Sequence, residues 1–374
     1  MVKIPAAVTD DPTTSPTLPG WVYADASVFQ RERTEIFFKS WQYVGWIGEL
    51  KEPGDYLTID FLDQSVIVLR AAESELLGFH NVCQHRGHRL LADKGTVSSI
   101  VCPYHAWRYA LDGRLVSARG LEDQPSFDFC SVRLAPVKVD VFADKFIFVN
   151  LDLSARALTD IAADLHEELR SEVPAFDQLA RVERPPSADS RVPGREVVYE
   201  ANWKLVIENC LECYHCGLLH PAFRQLIDMQ KIRVRAHAHW ASIKGPLADP
   251  NPVPATARNK DYRFWWLWPN TVFEMSPGGA LGITVSSQIP IDVARTRLRG
   301  GDRYGLPGAS LFEPRGYGDL NLIAEDRATV ESVQKGVASL GYATGRFSFD
   351  PLHGQTSEEG VHRFQVLVSK ALNL

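Results

Sequence analysis

The sequence lacks several features, and each absence excludes a class of protein. In its 374 residues no apolar run approaches the roughly 20 residues that a membrane-spanning helix needs. The first twenty residues contain no apolar stretch of signal-peptide length. A formal net charge of −6, without a basic cluster, argues against a nucleic-acid partner. We therefore expect a cytoplasmic protein that binds neither membranes nor nucleic acid.

Cysteine is scarce, and no glycine-rich phosphate-binding fingerprint is present. Six cysteines in a chain of this length do not predict a small secreted disulfide scaffold. Without a phosphate-binding loop, the chain itself is not expected to bind a nicotinamide or flavin nucleotide. The remaining composition, with 45% hydrophobic and 23% charged residues, is typical of globular proteins. Its length predicts two domains.

Two short segments in the first half combine cysteine with histidine. Cys83 and His85 form a C-x-H pair, and Cys102 and His105 form a C-x2-H pair sixteen residues later. A structural zinc ion could use two thiolates and two imidazoles. Zinc modules, however, usually pair like ligands in each segment, whereas each segment here offers one of each kind. That alternation favours a Rieske [2Fe–2S] cluster, with two cysteines on one iron and two histidines on the other.

The region around these pairs has the pattern of an all-β module. Turn signals at Pro53-Gly54 and Asp112-Gly113 separate short apolar segments. We predict strands at Gln42–Trp46, Asp55–Ile59, Gln64–Arg70, Leu76–Asn81, Ser98–Val101, Trp107–Ala110 and Phe146–Asn150.

A second group of possible metal ligands lies in the segment NWKLVIENCLECYHCGLLHP. Its residues Glu212, His215 and His220 follow the order E-x-x-H-x4-H in a run that begins as an amphipathic helix. Gly217 and Pro221 allow the helix to loosen, so that both imidazoles can reach one point. The histidines could also be satisfied core residues. With one more carboxylate they would form the facial triad of non-haem Fe(II) oxygenases.

Three cysteines, Cys210, Cys213 and Cys216, lie in the same segment. A C-x2-C-x2-C run can ligate an iron–sulfur cluster, but a fourth cysteine is missing nearby. We interpret these cysteines as small apolar packing residues.

The third iron ligand should be a carboxylate from elsewhere in the chain. Glu325, Asp326 and Asp319 are the candidates, and spacing alone does not choose between them. Acidic residues at a helix N-terminus can also simply stabilise the helix dipole.

The second half has the pattern of an α+β domain with a largely antiparallel sheet. We predict strands at Ile232–Ala241, Tyr262–Trp268, Thr271–Ser276, Leu281–Gln288 and Thr296–Tyr304. Helices are predicted at Ser27–Trp41, Asp160–Glu172, Asp319–Leu340 and Glu358–Leu372. The predicted domains are an N-terminal arm and helix at 1–41, packing on the catalytic domain, then an iron–sulfur domain at 42–153 and a catalytic domain at 154–374.

The segments CQHRGHRL and CPYHAWRYALDG resemble the Rieske domain of the ring-hydroxylating oxygenase α-subunit family. NWKLVIENCLECYHCGLLHP and EDRATVESVQKG are similar to the quaternary-ammonium branch of that family, which includes carnitine, choline and glycine betaine monooxygenases and stachydrine demethylase. The resemblance implies an all-β Rieske domain and a helix-grip catalytic domain, in which an antiparallel sheet wraps over a long helix. It also implies a homotrimer.

The resemblance further implies a terminal oxygenase that uses O2. Electrons would come from NAD(P)H through a separate flavin and iron–sulfur reductase, with or without a ferredoxin. The expected cofactors are a Rieske cluster, held by the two Cys/His pairs, and a mononuclear Fe(II). Carried across by motif, the ligands of that Fe(II) are His215, His220 and Asp326. Glu212 would hydrogen-bond His215 and reach His105 of a neighbouring chain.

The expected substrate is a small quaternary ammonium compound or betaine, oxidised at an N-methyl carbon. Cys210 stands where the carnitine enzyme has a tyrosine, so an aromatic acid or another small organic substrate is the alternative. Four aromatic residues alternate along one predicted strand and so share a face, which could either fill the core or form a wall around a cation. The four residues are Tyr262, Phe264, Trp266 and Trp268, and Phe273 from the next predicted strand could join them in the wall.

Overall fold

The structure is a computed structural model, which describes residues 8–121, 124, 126–182, 197–250, 259, 261–277, 281–306 and 322–374. The chain divides into two compact units, one of residues 38–163 and one of residues 164–374 together with the first 37. The predicted order of an all-β domain followed by an α+β domain agrees with these two units. The limits predicted for the domains, at 42 and 154, remain predictions.

The described residues form eight α-helices, none of them long and apolar enough to cross a membrane. They are α1 (Ala26–Glu35), α2 (Leu158–Ile161), α3 (Ala163–Glu172), α4 (Trp203–Cys210), α5 (Cys216–Leu219), α6 (Pro221–Leu226), α7 (Leu322–Val337) and α8 (Glu359–Leu372).

The unit of residues 38–163 is built from two antiparallel sheets. Its strands are β1 (Gln42–Trp46), β2 (Asp55–Phe61), β3 (Gln64–Ala72), β4 (Glu75–His80), β5 (Lys94–Thr96), β6 (Ile100–Val101), β7 (Arg108–Tyr109), β8 (Leu115–Ser117), β9 (Pro136–Phe142) and β10 (Phe146–Asn150). Seven strands form a sheet in the order β1-β10-β9-β4-β3-β2-β5, and β6, β7 and β8 form a small second sheet. Cys83 lies just after β4 of the larger sheet, and Cys102 lies just after β6 of the smaller one. One strand of each sheet therefore leads into one of the two Cys/His segments.

The other unit contains one antiparallel sheet of eight strands. They are β11 (Ala180–Arg181), β12 (Val197–Tyr199), β13 (Arg233–Ala236), β14 (Trp240–Pro246), β15 (Asp261–Leu267), β16 (Thr271–Met275), β17 (Leu281–Asp292) and β18 (Arg295–Gly305). The order is β11-β18-β17-β16-β15-β14-β13, and β12 also pairs with β18.

Neighbouring residues of β15 show what covers each face of this sheet. On one face, Trp265 Nε1 donates a hydrogen bond of 2.9 Å to Glu168 of α3. On the opposite face, the Trp266 ring lies 5.5 Å from Phe364 of α8, which in turn lies 5.4 Å from Trp203 of α4. The sheet therefore packs between α3 and the pair α4 and α8, as expected for a helix-grip domain. We call the face that carries Trp266 the inner face.

A buried ion pair ties α1 to α4. Lys204 Nζ bonds the Glu32 carboxylate, and neither side chain has accessible surface. Trp203 Nε1 donates a further hydrogen bond of 2.9 Å to the same carboxylate. Because both charges are removed from water, each depends on the other for compensation.

We expect Lys204→Met to lower the free energy of unfolding by about 3–5 kcal/mol, because it leaves the Glu32 carboxylate buried and uncompensated. Urea denaturation measures the loss. The matched control is Lys244→Met, which breaks a partly exposed pair with Glu172 and should cost at most about 1 kcal/mol. Adding Glu32→Gln to Lys204→Met should recover much of the stability. Equal losses for Lys204→Met and the control would contradict the prediction.

Candidate metal centres

The chain folds back on itself directly after α4, and this turn brings two histidines together. His215 precedes α5, a helix of only four residues, and His220 lies between α5 and α6. Pro221 occupies the first turn of α6, where its missing N–H costs nothing. The two imidazole centroids are 5.0 Å apart. The helix was predicted to continue through Glu212 and His215 and to loosen at Gly217, but it ends at Cys210 and Gly217 lies inside α5. The break before His215 and the second one at His220 and Pro221 together bring the two rings close.

Asp326 of α7 completes a three-residue group with these histidines. Its Oδ1 lies 3.0 Å from His220 Nε2 and 3.4 Å from His215 Nε2. One ligand atom from each residue lies within 4.8 Å of the other two. Oδ1 is buried, yet no described residue gives it a well-aligned hydrogen bond. The three atoms therefore face a common point instead of bonding one another, and a cation at that point would satisfy all three.

The opposite nitrogen of each imidazole is held by a different carboxylate. Glu212 accepts from His215 Nδ1, and Glu325 Oε2 lies 2.7 Å from His220 Nδ1. With Nδ1 as the donor, each ring presents the lone pair of Nε2 to the common point. Glu325 is thus a partner of a histidine and not one of the three converging groups. Asp319, the remaining candidate from the sequence, lies outside the described residues.

The site strongly favours positive charge. Burial by itself lowers the pKa of His215, but the carboxylates of Asp326 and Glu212 outweigh it and raise the pKa to about 9. Burial raises the pKa of Asp326, but the two imidazoles and Asn209 hold that pKa far below its usual range. Two imidazoles and one carboxylate with open positions match the donor set of non-haem Fe(II). The residues present therefore fit a mononuclear iron.

The two Cys/His segments adopt the same local conformation. Gly87 N donates to Cys83 O at 3.0 Å, and Ala106 N donates to Cys102 O at the same distance. Each cysteine N–H also bonds the carbonyl five residues further on. Gly87 and Ala106 occupy equivalent places with positive φ angles of 72° and 58°. The paired spacing thus encodes two matching turns, each of which offers one thiol and one imidazole.

The geometry of these turns fits a Rieske cluster. The residues Cys83 and Cys102 are buried, at 2% exposure each, whereas His85 is exposed and His105 half-buried. The two histidine Nδ1 atoms lie 3.1 Å apart, so both point toward one place. Burial, and also the neighbouring Cys102 thiol, raise the pKa of Cys83. The two thiols thus lie inside, and the two imidazoles lie closer to the surface.

Two aromatic residues beside the cluster ligands were missed in the sequence. The hydroxyl of the fully buried Tyr109 lies 3.3 Å from Cys83 Sγ and accepts a hydrogen bond of 3.0 Å from Gln84 N. The Trp107 ring stacks on His85, with centroids 4.7 Å apart. Trp107 lies two residues after His105, just before β7, and Tyr109 lies four residues after it, on β7. Their position next to a ligand was the only signal that the sequence offered.

Cys213 and Cys216 are joined in a disulfide, so the interpretation of these two cysteines as small apolar packing residues was wrong. The bond spans Tyr214 and His215. Cys210 carries a free thiol whose pKa is raised by burial and by the charges of Asp326, Glu274 and Glu212.

The structure corrects two members of the predicted aromatic wall. Phe273 pairs with Trp265, so it lies on the face opposite the inner face. Trp266 does lie on the inner face, but it has no accessible surface and therefore does not line a cavity that admits water. Its Nε1 donates to Pro269 O, which is a core contact. Tyr262, Phe264 and Trp268 remain predicted pocket residues.

A buried acid, Glu208, lies on α4 one turn before Glu212. Tyr23 OH donates a hydrogen bond of 2.8 Å to Glu208 Oε1, and Gln365 donates to that same hydroxyl. Burial raises the pKa of Glu208 to about 8, although Tyr23 and Lys204 act in the opposite direction.

This raised pKa predicts a specific pH dependence of stability. Below about pH 4.5, Glu208 is protonated in both the folded and the unfolded chain. Between about pH 4.5 and pH 8, Glu208 loses its proton in the unfolded chain but keeps it in the folded chain. The stability that this group contributes is therefore lost as the pH rises toward 8. We expect the melting temperature of the wild type to fall by several degrees relative to that of Glu208→Gln between pH 5 and pH 8. Parallel pH profiles of the two proteins would refute this assignment.

Comparison with known proteins identifies the two units. Residues 40–128 match the Rieske [2Fe-2S] domain, and residues 176–301 match the ring hydroxylating alpha subunit (catalytic domain). The carnitine monooxygenase oxygenase subunit of Acinetobacter pittii is 33% identical over 98% of both chains. That of Escherichia coli K12 is also 33% identical, over 95% of this chain and 93% of its own.

Solved structures agree with these matches. The crystal structure of the quaternary ammonium Rieske monooxygenase CntA in complex with L-carnitine is 32% identical, with a TM-score of 0.82 over 96% of this chain and 97% of its own. Naphthalene 1,2-dioxygenase from Rhodococcus, at 19% identity and a TM-score of 0.76 over 95% of this chain and 94% of its own, shares the fold.

A Rieske domain joined to a domain with a two-histidine, one-carboxylate site defines the catalytic component of an oxygenase. The chain belongs to the ring-hydroxylating oxygenase α-subunit family, and it is an oxygenase subunit with a Rieske [2Fe–2S] cluster and a mononuclear iron. The predicted family, enzyme class and cofactors are thereby confirmed.

Proposed function

We propose that this oxygenase oxidises a small quaternary ammonium compound at an N-methyl carbon. The observation that carries the proposal is a complete two-histidine, one-carboxylate site in a chain that is 33% identical, nearly end to end, to carnitine monooxygenase subunits. Glycine betaine monooxygenase of Chromohalobacter salexigens is a further relative, 38% identical over 62% of this chain and 52% of its own. Hydroxylation of the methyl group consumes O2, two electrons and two protons and releases one water. The product then loses formaldehyde and a proton and leaves the demethylated amine.

The proposed roles of the residues follow from their contacts. Two Cys/His pairs hold the cluster, and His215, His220 and Asp326 hold the mononuclear iron, which activates O2 when it is bound. Asp326 would bring a negative charge that offsets the charge of the metal, and a set of only three protein ligands would leave room at the metal for O2. Glu212 fixes the His215 ring through Nδ1. This fixed orientation keeps the Nε2 lone pair directed at the metal.

We further propose that Glu212 links the iron to the His105 side of a cluster in a neighbouring subunit. A structure of CntA has been described as giving insight into inter-subunit electron transfer. A contact of this head-to-tail kind closes into a ring, and we propose a homotrimer. Light scattering of the active enzyme should report three chains per particle. An active monomer would contradict the proposal.

Electrons are proposed to reach the cluster from a separate flavin and iron–sulfur reductase that oxidises NAD(P)H, with or without a ferredoxin. The exposed His85 edge is where such a donor could approach. We propose that the enzyme works in the cytoplasm, where NAD(P)H is available.

The experiment that tests the substrate class is a panel of betaines and aromatic acids supplied to the enzyme with an electron donor. We expect formaldehyde release matched mole for mole by O2 consumption with at least one betaine. A neutral isostere of that betaine, with carbon in place of the charged nitrogen, is the control for shape. Coupled turnover of an aromatic acid, with no formaldehyde from any betaine, would overturn the proposal.

A further inference from the structure

The His220 ring is held at both edges by consecutive residues of α7. Glu325 Oε2 lies 2.7 Å from its Nδ1, and Asp326 Oδ1 lies 3.0 Å from its Nε2. The histidine side chain is only 4% exposed, whereas the Glu325 side chain is 31% exposed, so the ring is buried and the carboxylate reaches it from a more open position. One helix therefore supplies both the proposed ligand carboxylate and the partner of a neighbouring ligand.

The helix geometry explains how neighbours can hold opposite edges of one ring. Successive side chains diverge by about 100° around a helix, so they reach one group only if it lies between them. Glu325 lies in the first turn of α7, and its carbonyl accepts a hydrogen bond of 3.2 Å from the Thr329 hydroxyl. The backbone at Glu325 is thus part of the helix, so the helix fixes the position from which the Glu325 side chain reaches His220.

Glu325 has the same relation to His220 as Glu212 has to His215. In each pair a carboxylate accepts from Nδ1 and leaves Nε2 for the common point. The pairs differ in origin. Glu212 and His215 are three residues apart in one turn, whereas Glu325 is separated from His220 by 105 positions. The second pair therefore also joins α7 to the turn that carries both histidines.

We propose that Glu325 is a positioning residue for the mononuclear iron: it fixes the tautomer and orientation of His220 so that Nε2 binds the metal. This inference rests on the proposed assignment of His215, His220 and Asp326 as the iron ligands. It gives Glu325 a role separate from that of Glu212, because Glu325 serves metal binding and not electron transfer between subunits.

Metal affinity of the full-length protein tests the proposal without reference to turnover. After selective removal of the mononuclear iron, with cluster absorbance unchanged, each variant is titrated with Co(II). We expect Glu325→Ala to weaken Co(II) binding about 10- to 100-fold, as is usual when an outer partner of a metal-bound histidine is lost. Glu325→Gln keeps a neutral acceptor and should lose less. Glu331→Ala, which removes another carboxylate of α7, should stay within about twofold of the wild type.

A spectroscopic readout separates positioning from a general loss of structure. In the Co(II) protein, the Nδ1 protons of the two metal-bound histidines should give two paramagnetically shifted, solvent-exchangeable proton resonances. We expect one of them to disappear or exchange rapidly in Glu325→Ala, while the other remains. A variant that was merely misfolded would lose both.

The possible results point to different failures. If the wild type binds no Co(II) beyond the cluster, the proposed iron site is wrong. If the wild type binds Co(II) and Glu325→Ala binds it equally tightly with both resonances intact, the iron site stands and the role of Glu325 is wrong.

Discussion

Asp326→Ala is expected to remove the mononuclear iron and to leave the Rieske cluster in place. Asp326 Oδ1 is the only anionic member of the three-atom group formed by the described residues, at 3.0 and 3.4 Å from the two imidazoles. Without it the site offers two neutral nitrogens, which bind Fe(II) weakly. Loss of a ligand should cost more than loss of an outer partner, so turnover should fall by more than about 100-fold.

Iron analysis and visible absorbance measure this outcome together. We expect iron to fall from three to two atoms per chain, with the cluster spectrum unchanged, because the cluster ligands belong to the other unit. Asp302→Ala is the matched control, because this aspartate of the same unit pairs with Arg181. Wild-type iron content and turnover in Asp326→Ala would show that another residue is the third ligand.

Glu212→Gln should have a comparable effect on turnover by a different route. One oxygen of Glu212 accepts from His215 Nδ1, and the other accepts from the backbone N–H groups of Tyr214 and His215. An amide can replace only one of these acceptors, and its NH2 group would face donors. The charge that the proposed bridge places between two metal-bound imidazoles is lost as well. We expect both metals to be retained and turnover to fall about 100-fold or more.

A single-turnover experiment distinguishes this defect from loss of substrate binding. The cluster is reduced chemically, and its reoxidation is followed after substrate and O2 are added. We expect fast reoxidation in the wild type and slow reoxidation in Glu212→Gln. Glu331→Gln, which changes a carboxylate elsewhere in the unit, should behave as the wild type. Fast reoxidation coupled to product in Glu212→Gln would exclude Glu212 from the electron path.

The sequence alone identified those parts of the sites that depend on local structure. The two Cys/His turns are formed by backbone hydrogen bonds four and five residues long, so spacing was sufficient to predict them. His215 and His220 are also close in sequence and flank one four-residue helix, although the preceding helix ends earlier than predicted, at Cys210. In each case the ligands and the turn that aims them lie within a few positions of one another.

Predictions from the sequence were wrong where the structure depends on the position of a turn, on strand register or on the depth of burial. The predicted strand Ile232–Ala241 is in fact the hairpin of β13 and β14, with His237 N bonded to Trp240 O at the turn. Phe273 was assigned to the inner face, but a one-residue difference in pairing reverses the side of a strand residue. Alternation alone could not reveal that Trp266 is fully buried.

Spacing left Glu325 and Asp326 open and the family resemblance favoured Asp326, but only the tertiary structure shows how the two acids are placed around His220. The two acids are adjacent in sequence, and both can reach His220, so no spacing rule separates a ligand from a partner of a ligand. Their roles depend on where α7 meets a turn more than 100 positions earlier in the chain. There, the roughly 100° between successive side chains sends one carboxylate to Nδ1 and the other to Nε2.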